Sequence, residues 1–240
     1  MDPFFIRDSF FQLLSGVPLT IELTVVGFLL GLVLAMLIAL MRFSRSLPLR
    51  NAARSYVFVM RGTPLLVQMF LIYYGLGQFR PTFQSLGLWQ FFREPYWCGI
   101  LALSFNSAAY GSEVLRGALN SVSKREIEAA RACGMSGVLL YRRIVLPIAL
   151  RQALPAYGNE LILMVKATSL VSTITMMEVT GIAARLISET YRPVEVFIAA
   201  GAIYFAINFL LTRAVSMLDW WLTPHFRGVP KSRQQERANV

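Results

Sequence analysis

The residues of this 240-residue chain that could do chemistry away from water fall into three groups. Asn106, Tyr110 and Glu113 recur at i, i+4 and i+7, which places an amide, a phenol and a carboxylate on one helical face. Lys166, Ser169 and Thr173 recur at i, i+3 and i+7, with Thr168 and Ser172 alongside and Glu178 beyond them. The third group is the segment 128–147, where Glu128, Ala129, Ala130, Gly134, Ile144, Leu146 and Pro147 keep a fixed spacing. The first two groups lie in apolar runs, where each polar side chain is costly unless it is paired or faces water. Each also has a structural alternative. Glu113 can pair with Arg116 one turn away, and hydroxyls in apolar helices commonly bond backbone or neighbouring helices. Asn159 and Glu160 read as anchors of the 128–147 segment, with Glu160 or Glu113 available to neutralise Lys166. Arg61, beside Pro64, reads as a clamp at a helix entry.

Catalysis is poorly served by this inventory. The one histidine, His225, lies in the polar tail, and the apolar runs hold no nucleophile with a base and no matched acidic pair. No Gly-x-x-x-x-Gly-Lys-[Ser/Thr] phosphate loop occurs, so ATP is not handled here. Cys98 and Cys133 stand apart, without partners at metal-ligand spacing, which implies neither a disulfide framework nor a metal site.

Hydrophobic residues make up 56% of the chain and cluster into runs of about 20, the length that crosses a bilayer as a helix. The chain therefore reads as an all-α membrane protein with about five transmembrane helices, near 18–41, 53–79, 97–119, 153–175 and 194–218. Arg61-Gly62-Thr63-Pro64 interrupts the second, so that span begins near Pro64 after an interfacial stretch. Asp2 and Asp8 spoil the basic start a cleavable signal would need.

The net charge of +10 does not form a nucleic-acid-binding stripe, because the basic residues lie between and after the apolar runs. Arg42, Arg45, Arg50 and Arg54 follow the first run, and Lys124, Arg125, Arg131, Arg142, Arg143 and Arg151 follow the third. This bias places the N-terminus outside, the third connector inside and the C-terminus inside. The organisation expected is an external segment 1–17, a transmembrane domain 18–221 containing a cytoplasmic segment 121–150, and a polar tail 222–240.

The third connector is too ordered for a spacer. Ser123 and Glu126 form a capping box ahead of a helix ending at Cys133, and Gly134 supplies the left-handed residue that ends it. A second helix starts near Gly137, and Pro147 perturbs it before the next span. The expected product is two short helices at an angle, a knob on the cytoplasmic surface.

Glu-Ala-Ala, three residues, Gly, nine residues, Ile-x-Leu-Pro is similar to the signature of permease subunits of binding-protein-dependent ABC importers. Arg61-Gly62-Thr63-Pro64-Leu65-Leu66-Val67-Gln68, Asn106-Ser107-Ala108-Ala109-Tyr110 and Leu154-Pro155-Ala156-Tyr157-Gly158-Asn159-Glu160 resemble the polar amino acid branch, with histidine, arginine and opine permeases. Met177-Glu178-Val179-Thr180-Gly181-Ile182-Ala183 looks like the octopine and nopaline M-type chains. The resemblance implies a type I ABC importer permease fold in a bacterial inner membrane. It also implies two ATP-binding subunits holding ATP and Mg, a second homologous permease, more fittingly different than identical, and a periplasmic binding protein. This chain itself would need no cofactor. On this reading 128–147 is the coupling segment that seats in the ATPase, gripping through Ala129, Ala130 and Gly134. Asn106, Tyr110, Glu113, Lys166, Thr168, Ser169, Ser172, Thr173 and Glu178 would be candidates for the substrate pathway, with Lys166 and the hydroxyls meeting a carboxylate and Glu178 an ammonium or guanidinium. The expected cargo is a basic amino acid or opine; neutral or acidic amino acids are the alternative, and a membrane scaffold without transport is the remaining one.

Overall fold

The computed structural model describes residues 3–222. Apolar side chains with few turn residues between them leave the helix as the way to satisfy the backbone internally, and no strand forms among the described residues. Among the described residues twelve α-helices, α1 to α12, follow in chain order. They are α1 (Pro3–Leu14), α2 (Val17–Phe43), α3 (Leu47–Gly62), α4 (Leu65–Phe70), α5 (Arg80–Ser85), α6 (Trp89–Phe92), α7 (Pro95–Asn120), α8 (Lys124–Ala132), α9 (Gly137–Leu140), α10 (Leu146–Ala167), α11 (Val179–Thr190) and α12 (Pro193–Leu222). Wider π turns extend α4 over Leu71–Gly75 and join α9 to α10 over Tyr141–Val145, and a 3-10 turn prolongs α10 over Thr168–Ile174.

The central pair is α2 against α7. The buried face of α2 carries Leu23, Gly27, Gly31, Ala35 and Ile38, a stripe of small residues that lets backbones approach closely. At Gly31 the approach is near its limit, since a Cβ there would lie 2.9 Å from Ser107 Oγ. α10 packs across the same pair, with the Tyr157 hydroxyl donating to the Gly111 carbonyl at 3.0 Å. α1, α11 and α12 share a core at one end, built on Leu13, Ile182, Leu186, Val196 and Ile203. At the opposite end Val122, Ala130, Leu140, Val145 and Ala149 join α8 and α9 to the feet of α7 and α10.

Several expectations are corrected here. Judged by length and apolarity, two single helices among the described residues suffice to cross a membrane, Val17–Phe43 and Pro193–Trp221. Two bent pairs suffice if each is one span, Leu47–Gly62 with Leu65–Gly75 and Gly137–Ile174 with Val179–Thr190. The helix expected as the third span, α7, is 26 residues long and more polar than its central partner α2. It runs through the centre of the bundle, and Asn106, Glu113 and Arg116 find polar partners there. The interruption at Thr63-Pro64 is a bend of 108°. The helix of the fourth span begins at Gly137, well before residue 153, because the wide turn over Tyr141–Val145 accommodates the Pro147 ring without ending the helix. For the same reason the second helix of the knob is not short but runs on into α10. Two further helices, α1 and α11, go beyond the sequence reading of 1–17 and 177–190.

Candidate functional site

The knob is built as its local signals dictate. The Ser123 hydroxyl oxygen accepts from the Arg125 N–H at 3.2 Å, and the Glu126 carboxylate accepts from the Ser123 N–H at 3.2 Å. At the other end Gly134 stands at φ +81°. There the Met135 N–H reaches back to the Ala130 carbonyl and the Gly134 N–H to that of Arg131, a left-handed cap that satisfies two carbonyls. Of the residues expected to grip a partner, Glu128, Ala129 and Gly134 are exposed, whereas Ala130 turns inward and is 6% exposed. Ile144 and Pro147 are half-buried, and Leu146 is exposed one turn from Leu150. Val138, Leu139 and Tyr141 are the apolar tips that the spacing did not single out; Val138 is 82% exposed.

The bend at Thr63-Pro64 frees carbonyls that side chains then recover. The Gln68 amide donates to the Met60 carbonyl at 2.8 Å and to Thr63 Oγ1 at 2.7 Å. Asn106 Nδ2 donates to Gln68 Oε1 at 3.0 Å, tying α7 to the bend. Beside this bracket is a cavity of about 260 Å³ whose polar lining is Asn106, Ser107, Tyr110 and Glu160, with Leu163, Met164 and Ala167 continuing the α10 wall. Glu160 therefore lines a cavity and does not anchor the knob. The signal was present: Glu160, Leu163, Met164 and Ala167 follow i, i+3, i+4, i+7. Gln68, a lone amide in an apolar run, was the other missed residue.

Arg61 lies with its guanidinium 5.2 Å over the Tyr110 ring, a cation–π contact, and within electrostatic reach of Glu160. Tyr110 is also on the wall of a second cavity of about 440 Å³, shared with Arg42, Arg54, Arg61 and Glu113. Glu113 is held by Arg42 and by Arg116, the latter at 2.7 Å, so its carboxylate is a joint between α2 and α7.

The other pathway candidates are placed apart. Lys166 is exposed and has no ion pair with Glu160 or Glu113 among the described residues. The tighter 3-10 turn changes the face on which the hydroxyls lie, and each donates to a carbonyl three residues back. Thr168 donates to Val165, Ser169 to Lys166, Ser172 to Ser169 and Thr173 to Leu170, at 2.6–2.7 Å. Glu178, expected to meet a cation near the outer end, is 0% exposed. One of its oxygens caps α11 by accepting from the Gly181 N–H at 2.9 Å, and the other accepts from the Tyr204 hydroxyl at 2.6 Å.

Comparison with known proteins gives a consistent result. Residues 27–223 match the family described as binding-protein-dependent transport system inner membrane component. The nopaline transport system permease protein NocM of Agrobacterium fabrum is 56% identical over 227 residues, covering 95% of this chain and 94% of that one. The arginine ABC transporter permease protein ArtM of Haemophilus influenzae is 36% identical over 207 residues, covering 86% and 90%. A chain from the crystal structure of an amino acid ABC transporter with histidines superposes with a TM-score of 0.82 at 35% identity, covering 91% and 98%.

Proposed function

We infer the role of the chain from its family: it belongs to the binding-protein-dependent transport system inner membrane components. It is a membrane permease of an ABC importer, with the fold of the amino acid branch. The finer reading proposed is import of basic amino acids or opines, the compounds named for its relatives.

One observation carries the mechanism. The helix from Gly137 to Ile174 is continuous, so the exposed knob at its start and the cavity wall bearing Glu160, Leu163 and Met164 belong to one body. A partner that grips Glu128, Ala129, Gly134 and the tips at Val138 and Tyr141 can therefore move the cavity wall directly. In this reading the partners are two ATP-binding subunits, which hold ATP and Mg, a second related permease and an external binding protein. The third connector and C-terminus lie inside and the N-terminus outside, in a bacterial inner membrane. Closure of the ATPase pair draws the knobs together and opens the cavity outward; release returns it inward. The chain performs no bond chemistry of its own.

Within the cavity Glu160 is the acceptor for a guanidinium or ammonium, Tyr110 and Ser107 offer hydroxyls, and Asn106 holds the wall to the bend. Replacing Glu160 by Gln keeps the shape and removes the charge. Uptake of arginine by the assembled importer in proteoliposomes should fall roughly tenfold or more, the scale of a charge-assisted hydrogen bond of about 1.5–3 kcal/mol. Uptake of a neutral amino acid should change far less. An equal fall for both, at matched occupancy of the binding protein, would refute a cation site at Glu160.

A further inference from the structure

Between α2, α7 and α10 runs an open groove of about 260 Å³ whose lining includes no polar side chain. Leu119 on its wall is nine residues from Tyr110, half a turn out of phase, so the groove and the two polar cavities flank α7 on opposite sides. Its floor is four buried alanines, Ala39, Ala118, Ala149 and Ala153, whose small side chains leave the space. Its walls are the exposed Met36, Leu40, Phe43, Leu146 and Leu150. The apolar lining stops where Phe43 ends α2 and Leu146 starts α10, the cytoplasmic end on the orientation above. Exposed arginines take over there: Arg45 follows Phe43 by two residues, and Arg143 precedes Leu146 by three, one turn. Neither has an ion pair among the described residues, whereas Arg42 nearby is committed to Glu113.

We propose that this groove holds one acyl chain of an anionic phospholipid of the cytoplasmic leaflet, with the headgroup phosphate on Arg45 and Arg143. An apolar slot that opens at headgroup depth and carries unpaired guanidinium groups at its mouth matches both parts of that molecule. Charge decides against a second copy of this chain seated face to face, since it would bring its own Arg45 and Arg143 to the same place. Ala153 and Glu160 are seven residues apart on one face of α10, so the acyl chain lies against the helix between the knob and the cargo cavity. It is the packing against which that helix turns, and coupled uptake therefore depends on the anionic lipid. The inference rests on the importer reading and its inside orientation, but the binding is measured without transport.

The test places the assembled importer in phosphatidylcholine nanodiscs with a trace of phosphatidylglycerol or phosphatidylcholine bearing a diazirine on one acyl chain, and maps the photolabel to peptides. Label from the phosphatidylglycerol probe should fall on the groove and exceed that from the phosphatidylcholine probe about tenfold or more. Arg45→Gln and Arg143→Gln should each cut that excess about fivefold. Raised salt should erode it in the unaltered complex, a readout that needs no variant to fold. Ala153→Leu, which fills the floor, should lower labelling by both probes. In proteoliposomes, uptake per ATP hydrolysed should rise when phosphatidylglycerol joins phosphatidylcholine, and rise less in Arg45→Gln. Equal labelling by the two probes in the unaltered complex would overturn the lipid site. So would label that avoids the groove while a photoreactive residue at position 40 crosslinks to the second permease. Uptake indifferent to phosphatidylglycerol would overturn the lipid's part in coupling. A complex that labels as expected and transports nothing would overturn the importer reading and leave the lipid site standing.

Discussion

Glu178 spends both carboxylate oxygens on its own surroundings, one on the first turn of α11 and one on Tyr204 of α12, while Thr20 of α2 approaches at 3.5 Å. Three helices meet on that group. Glu178→Gln preserves an acceptor for the Gly181 N–H and an amide that the Tyr204 oxygen can accept from, so uptake of cationic and neutral cargo should change in parallel. Glu178→Ala removes the cap and strands Tyr204, which should cost about 1–3 kcal/mol and lower the Tm of the complex by several degrees. A loss in Glu178→Gln confined to cationic cargo would show that the carboxylate meets substrate. At this scale the sequence was legible where a residue's partner is local. The Glu113–Arg116 pair and the Ser123–Glu126 box follow from spacing alone, whereas Arg42 on Glu113 and Tyr204 on Glu178 depend on helices far apart in the chain. Glu160 was misread because its cytoplasm-facing neighbourhood in sequence differs from its neighbourhood across the bundle.

Between α9 and α10 the helix accommodates one residue too many for a regular turn. The Leu146 N–H reaches back five residues to the Tyr141 carbonyl, widening the turn just ahead of the Pro147 ring. That wide turn sets the rotation of the knob relative to the cavity wall. Deleting Arg142 should convert it to a regular turn and rotate everything before it by about 100° relative to α10. The variant complex should still hydrolyse ATP, and uptake driven by that hydrolysis should be lost. Undiminished uptake would mean that the facing of the knob does not matter. The capping box, the Gly134 stop and the break at Pro64 were legible because each is written in one turn of chain. The wide turn and the 3-10 segment were not, since proline accommodation and the packing of Thr168 and Val171 against other helices decide them. α11 escaped for a related reason: its cap, Glu178, looks like an intramembrane charge until Gly181 is seen beneath it.

Taken whole, the molecule keeps an apolar exterior on α2 and α12, where Leu29, Val33, Leu37, Phe197, Phe205 and Leu210 are exposed, as a bilayer or a second permease requires. The basic-residue bias gave the expected orientation, and the two cysteines offer a way to check it. Cys133 is exposed beside Gly134, and Cys98 is buried near the opposite end of α7. A membrane-impermeant thiol reagent should label Cys133 in inside-out vesicles stripped of ATPase, spare it in right-side-out vesicles, and label it several-fold more slowly once ATPase is restored. Labelling from the outer face would reverse the assigned topology. The apolar spans were legible from composition; the central, polar α7 was legible in length but not in setting, because only the assembled bundle pairs its charges. Pro155 lies inside the helix that joins the knob to Glu160, and its ring nitrogen cannot bond the Arg151 carbonyl, which leaves one compliant joint in an otherwise stiff rod. That joint divides the rod into unequal arms, about 27 Å back to Gly137 and about 8 Å forward to Glu160 at 1.5 Å per residue. Bending gathered at that joint takes up part of any tilt imposed on the longer arm, so the short arm that bears Glu160 can follow the knob through a smaller angle without a break in the helix.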